Sequence, residues 1–336
     1  MISLSKPAGN KLECQLCPHL CKLAEGSTGI CGVRRKSGNN ILLQTYGQIS
    51  AYSLDPVEKK PLYHFFPGSN ILSIGSYGCN MRCDFCQNHN ISQEFKADYS
   101  SLTSPEIIVK DALRANKNIG VAFTYNEPVI WFEFMRDIAL GVKTAGLKTV
   151  MVSNGYVNKA PLNEIIGFID AFNIDLKAFN NNFYTRLTGA DIEPVKKSLK
   201  QIVRSGRHLE ITTLIIPGMN DDETEMANQA EWIAGELGKS VPLHLSRYFP
   251  MFKRGDPSTP PGTLEKLFNI ASEKLDHVYL GNLNSSNGQD THCPGCGIVV
   301  TKRNGYNVSL LQLNAEGVCT RCGTTIYRYF TSSTEN

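Results

Sequence analysis

Three cysteines within one short stretch, Cys79-Asn80-Met81-Arg82-Cys83-Asp84-Phe85-Cys86, are the residues of this chain whose types and spacing bear most directly on chemistry. Thiolates bind soft metals, and no fourth cysteine lies near this loop. A [4Fe–4S] cube needs a ligand on each iron, so three thiolates leave one iron open. An open iron beside a protein cage is a place for an exchangeable ligand rather than a plain electron-transfer site. Two plainer readings stand beside this one: zinc completed by a distant histidine, or a redox dithiol with a bystander.

The other cysteines of the 11 form two further groups. Cys14, Cys17, Cys21 and Cys31 offer a complete donor set for zinc or for an auxiliary iron–sulfur cluster. Cys293-Pro294-Gly295-Cys296 and Cys319-Thr320-Arg321-Cys322 form two knuckles, each followed by glycine, which is the signature of a zinc ribbon. Glycine there lets the chain turn so that backbone N–H groups approach the thiolates. A ribbon this small buries little core, so its metal would supply folding energy.

Elements must position the middle triplet. Asn70–Gly75 reads as a strand feeding it, and Ser104-Pro105 opens a helix with Ser104 as N-cap and Pro105 in the first turn. Short apolar runs at 120–124, 148–152, 172–176, 209–216, 241–245 and 277–280 alternate with amphipathic stretches such as 129–146 and 193–206. In the latter, Val195, Leu199, Ile202 and Val203 share one face, and Gly206 suits the C-terminal cap. Strands separated by single helices imply βαβ crossovers and a parallel sheet, either doubly wound or a barrel, complete or partial.

Polar residues follow the ends of successive strands, the arrangement of barrels whose site lies at the strands' C-terminal face. Glu127, pinned by Pro128, could accept from a ligand ammonium, or be a first-turn glutamate favoured by the helix dipole. Asn154-Gly155 is a turn signal. Asp175 and Lys177, two apart, point the same way and make either a structural ion pair or a cradle for a zwitterion. His244 alternates with apolar residues as a core histidine would, while Arg247 could bind a carboxylate.

The C-x3-C-x2-C spacing with Phe85 before the last cysteine resembles the radical S-adenosylmethionine (SAM) superfamily. Glu127-Pro128, Asn154-Gly155 and Asp175-Leu176-Lys177 are similar to steps of its glycyl-radical activases, although Tyr125 and Asn126 replace two glycines and Val152 an acidic residue. Together with Cys14 to Cys21, 124–128, 209–218 and 278–282, the chain resembles the radical SAM enzyme of the AmmeMemoRadiSam system, related to the activating enzymes of pyruvate formate-lyase. That resemblance implies a (β/α)6 partial barrel, a [4Fe–4S] cluster held by Cys79, Cys83 and Cys86, and SAM as the ligand of the open iron. Phe85 would then pack on adenine, and Glu127, Asn154, Asp175 and Lys177 would contact SAM. Phe249 stands near where activases often carry histidine, so its ring could also pack on adenine.

The expected organisation is a four-cysteine metal-binding extension over 1–50, a radical SAM core over 51–287 and a ribbon-like segment over 288–336. The expected function is reductive cleavage of SAM to a 5′-deoxyadenosyl radical that abstracts hydrogen from a substrate, with a protein favoured. Activation of a glycyl-radical enzyme, modification of RNA or a small molecule with the ribbon as reader, and a non-catalytic metal scaffold are the alternatives. Expected partners are a flavodoxin- or ferredoxin-type donor and, from the resemblance, Memo-like and AMMECR1-like proteins. The balance of 34 basic against 31 acidic residues, a formal +3, argues against a large RNA surface or an anionic membrane. No apolar run is long enough to span a bilayer and no secretory leader is evident, which with clustered thiols points to a reducing cytoplasm.

Overall fold

The structure is a computed structural model that describes residues 3–95, 102–283 and 288–330. The expected boundary at 287/288 touches residues outside that set.

One 8-stranded sheet organises the chain. Its strands Asn70–Gly75, Asn118–Phe123, Lys148–Ser153, Ala171–Asp175, His208–Ile215, Leu243–Arg247 and Val278–Gly281 run parallel and pair in sequence order. A doubly wound sheet reverses its order at a switch point, and this one never does. Its two outermost strands do not pair, so it is a partial barrel. Six strand–helix units precede a seventh parallel strand. The free edge beside Asn70–Gly75 is covered by an antiparallel strand, Ala51–Pro56, with Pro56 at its end.

The helices pack outside as their patterns require. Ile192–Arg204 buries Val195, Leu199 and Ile202, and Gly206 after it takes φ +74°, the left-handed conformation that ends a helix. Pro105–Arg114 starts with Ser104 in the N-cap position, but the Ser104 side chain makes no capping bond. The stretch expected as one helix from 129 opens instead as a tight 3₁₀ turn, Pro128–Trp131, before the α-helix Phe132–Thr144. Leu16 and Val33 of the N-terminal segment join the same apolar cluster as Ile74, Phe123 and Trp131 of the barrel.

The C-terminal segment forms a sheet of Thr291–His292, Val299–Asn304 and Asn307–Leu310. It docks through Arg303, whose guanidinium lies 4.2 Å over the Tyr63 ring and donates to the Tyr63 carbonyl at 2.9 Å. Beneath that contact, Glu210 on its strand is buried and accepts from the backbone of Tyr63 and His64 at 3.0 and 2.7 Å. It also meets His208 and His244 at 2.9 and 2.6 Å. The core reading of His244 is therefore the one its surroundings support. No helix among the described residues is long and apolar enough to cross a membrane.

Candidate active site

The loop after Asn70–Gly75 carries Cys79, Cys83 and Cys86 to the C-terminal ends of the strands. All three thiols open onto one cleft. The same cleft is lined by Phe85 and by the strand-end groups Glu127, Asn154, Asp175 and Lys177. The three cysteines, Phe85 and these four strand-end groups thus face one space. Arg247 and Phe249 line no part of it. Arg247 donates instead to the Thr259 carbonyl at 2.8 Å and lies over the Phe249 ring.

Local hydrogen bonds aim this loop. Asn80, fully buried, accepts from Asn154 Nδ2 at 2.8 Å and donates to the Tyr156 carbonyl at 2.8 Å. Asn154 Nδ2 also points to Cys79 Sγ at 3.7 Å, and the Met81 backbone N–H reaches the same sulfur at 3.4 Å. Cys86 Sγ lies 3.2 Å from Ser92 Oγ. Gly155 takes φ +68°, and a Cβ there would sit 2.8 Å from Ile174, so both its backbone and its packing call for glycine.

Glu127 is almost wholly enclosed. Its Oε1 accepts from Val129 N–H at 3.0 Å and Ser153 Oγ at 2.7 Å, and its Oε2 from Asn154 N–H at 2.8 Å. Burial pushes its carboxyl up to about 7 despite those three donors. Asp175 and Lys177 pair at 2.8 Å. Burial alone would depress the Lys177 ammonium, but Asp175 and Cys83 outweigh it and hold it above its ordinary value. Phe85 is buried, with its ring 5.7 Å from that of Phe183.

Tyr125, standing where activases carry glycine, takes φ +70°, a conformation that costs a non-glycine residue about 1–3 kcal/mol. Its hydroxyl donates to Asp55 at 2.7 Å, its ring lies under Lys60 and its carbonyl accepts from Asn88 at 2.8 Å. Asn126 bridges Ser76 N–H and the Gly78 carbonyl at 3.1 and 3.0 Å. Side-chain contacts of Tyr125 and Asn126 hold the backbone of this turn. Ser153, Asn80 and the Asp55–Lys60 pair had no motif to mark them. Tyr306, at the turn of the ribbon hairpin, also reaches this cleft.

The donor set fits an iron–sulfur cluster. Burial raises the Cys79 thiol well above its ordinary value and pushes Cys83 up to about 12. Thiols so enclosed become thiolates against a bound cationic group, and three of them on one loop match the ligands of an open-site cube. At the other end of the chain, Cys293, Cys296, Cys319 and Cys322 bring their sulfurs within 4.8 Å of one another, the size of a single-ion site. Gly297 and Gly323 take φ +74° and +76° and donate to the carbonyls of Cys293 and Cys319 at 2.8 and 2.9 Å, closing each knuckle.

A partial parallel barrel with a three-cysteine loop at its strand ends defines the class: the chain belongs to the radical SAM superfamily. Residues 73–230 match that superfamily. The chain is 39% identical over 320 residues to the uncharacterized protein MJ0808 of Methanocaldococcus jannaschii, a match covering 94% of each. More distantly, it is 23% identical over 181 residues to pyruvate formate-lyase 1-activating enzyme of Escherichia coli K12, 52% of this chain and 73% of that one. Among solved structures, a radical SAM methyltransferase from Sphaerobacter thermophilus shares the fold at a TM-score of 0.53 and 14% identity, over 67% of this chain and 71% of that one.

Proposed function

We propose that Cys79, Cys83 and Cys86 hold a [4Fe–4S] cluster whose open iron takes SAM, and that the substrate is a protein. When bound, that pair supplies a reductive cleavage of SAM to methionine and a 5′-deoxyadenosyl radical able to take hydrogen from a C–H bond. The observation that carries this reading is the convergence of three thiols and four strand-end polar groups on one cleft.

The chain's own residues bind and orient. Lys177, ion-paired to Asp175, presents an ammonium for a carboxylate, and Asp175 an acceptor for an amine. Glu127 fixes the 153–154 turn, and through it Asn154, which faces Cys79. Phe85 offers an apolar edge to an adenine. A protein substrate is supported by the distant similarity to an activating enzyme and by the open cleft with Tyr306 of the ribbon at its edge. RNA modification draws on the ribbon alone, and a +3 balance gives it little electrostatic support.

The sequence resemblance supports placing the enzyme in the AmmeMemoRadiSam system, with Memo-like and AMMECR1-like partners and a flavodoxin- or ferredoxin-type donor in a reducing cytoplasm. Anaerobic incubation of the iron-loaded protein with a low-potential reductant and SAM tests the central claim. It should yield 5′-deoxyadenosine, and Cys83→Ala should abolish it. Absence of the nucleoside from fully loaded protein refutes the reading.

A further inference from the structure

The four N-terminal cysteines converge although they leave three separate turns. Cys14 ends the strand Lys11–Cys14, Cys17 follows it, Cys21 precedes Lys22–Leu23, and Cys31 stands before Arg34–Ser37. All four line one pocket whose remaining wall includes Leu16, Ile130 and Arg34.

The spacing of these sulfurs separates the two metals such a donor set could take. Zinc–thiolate bonds of about 2.3 Å draw four tetrahedral sulfurs to about 3.8 Å from one another. The ribbon shows that geometry, with Cys293–Cys322 and Cys296–Cys319 sulfurs 3.4 and 3.8 Å apart and all four within 4.8 Å. Among the described residues, the ribbon quartet is the one set of three or more His, Cys, Asp or Glu ligand atoms gathered so tightly. No three of the N-terminal sulfurs lie within that 4.8 Å of one another, nor do those of Cys79, Cys83 and Cys86, so both sets stand wider than the ribbon's. A cube needs that width, because each thiolate binds a different iron at a different corner.

A second feature points to an anionic occupant. Arg34 is buried, and its two terminal nitrogens are engaged by Glu133 at 2.8 and 2.7 Å. Its Nε–H is buried at the pocket with no acceptor in hydrogen-bond geometry. Such an orphan donor is destabilising unless a bound group accepts from it. Four metal-bound thiolates, Cys14 beside Arg34 among them, carry net negative charge and offer sulfur acceptors to meet it, so Arg34 marks an occupied site and the sulfur spacing marks which metal.

We propose that Cys14, Cys17, Cys21 and Cys31 bind a second [4Fe–4S] cluster rather than zinc, beside the cluster of the SAM loop. The two loops are in direct contact. A Cβ at Gly78, which has φ +85°, would lie 2.5 Å from the Cys31 carbonyl. His19 Nε2 is 2.7 Å from the Asn80 carbonyl, and the Arg82 guanidinium donates to the Ile30 carbonyl. With the two loops in contact, the spins of the two clusters should interact when both are reduced.

The test uses the full chain, reconstituted anaerobically with iron and sulfide. Wild type should hold about eight irons and one zinc, two cubes and one ribbon ion. The triple variant Cys79→Ala/Cys83→Ala/Cys86→Ala should keep about four irons, the iron–sulfur absorbance and a paramagnetic resonance signal that SAM leaves unmoved. Should that variant not fold, Cys17→Ala/Cys31→Ala decides: it should drop from about eight irons to about four and sharpen the spectrum of the reduced SAM-loop cluster. An iron-free triple variant holding two zincs overturns the second cluster, as does a Cys17→Ala/Cys31→Ala protein that loses zinc and no iron. Failure of the SAM reading shows elsewhere, in a wild-type signal that SAM does not perturb.

Discussion

The carboxylate of Glu127 accepts the backbone N–H of Asn154 at 2.8 Å, and Asn154 in turn points its amide at Cys79 Sγ from 3.7 Å. A residue whose motif suggests ligand contact is therefore also the anchor of the turn facing the cluster loop.

Replacing Glu127 with Gln tests both roles. An amide has one oxygen, so its NH2 must face an N–H or O–H donor that the carboxylate now accepts. A buried donor left unmet costs about 1–3 kcal/mol. Glu127→Gln should lower the melting temperature measurably and weaken SAM about ten- to a hundredfold in anaerobic calorimetry. Normal SAM affinity in a destabilised variant would confine Glu127 to positioning.

Lys177→Met separates a ligand cradle from a structural ion pair. Its ammonium is close to Cys83 and paired at 2.8 Å with Asp175, a residue about one third exposed. Losing a charge-assisted bond to a SAM carboxylate should weaken binding about ten- to a hundredfold, while the melting temperature changes little because Asp175 can rehydrate. A variant that binds SAM normally but melts early would make the pair structural.

What could be read in advance follows the physics of locality. Apolar runs and caps announce strands and helices from neighbours in sequence, so the six strand–helix units and the three cysteine groups were legible. The strand Ala51–Pro56 was not, because its apolar Tyr52 and Leu54 face outward while Asp55 faces in. Its pattern inverts the rule by which strands are recognised. Glu210 stood in a recognised stretch, yet its partners Tyr63 and His64 lie 147 and 146 residues away. Tyr125 was not legible either: nothing in the sequence marks the side-chain contacts that hold a non-glycine residue at φ +70°.

The ribbon should hold zinc and brace the barrel. Cys296→Ala/Cys319→Ala should lose about one zinc per chain while iron–sulfur absorbance persists. It should also destabilise the barrel, since Arg303 reaches Tyr63 only while the ribbon is folded. Metal analysis with thermal unfolding checks both, and loss of iron in place of zinc would refute the assignment.

The interface between ribbon and barrel carries opposed titrations. Burial pushes His277, whose ring is 4.3 Å from that of His64, down to about 4. The unfolded chain binds that proton near 6.5, so His277 contributes stability above pH 6.5 that is lost as pH falls toward 4. Burial pushes Glu58 up to about 7, with Oε2 lacking a partner. The folded chain then binds the extra proton between 4.5 and 7, so this contribution is present below pH 4.5 and is lost as pH rises to 7. Each gap of about 2.5 pH units is worth about 3 kcal/mol, so the two nearly cancel between pH 4.5 and 6.5. Glu58→Gln should therefore gain stability at pH 7 to 8 and lose it more steeply on acidification, and His277→Gln should do the reverse. Denaturant unfolding at several pH values checks the signs, and parallel curves for both variants and wild type would show that neither group titrates in this way.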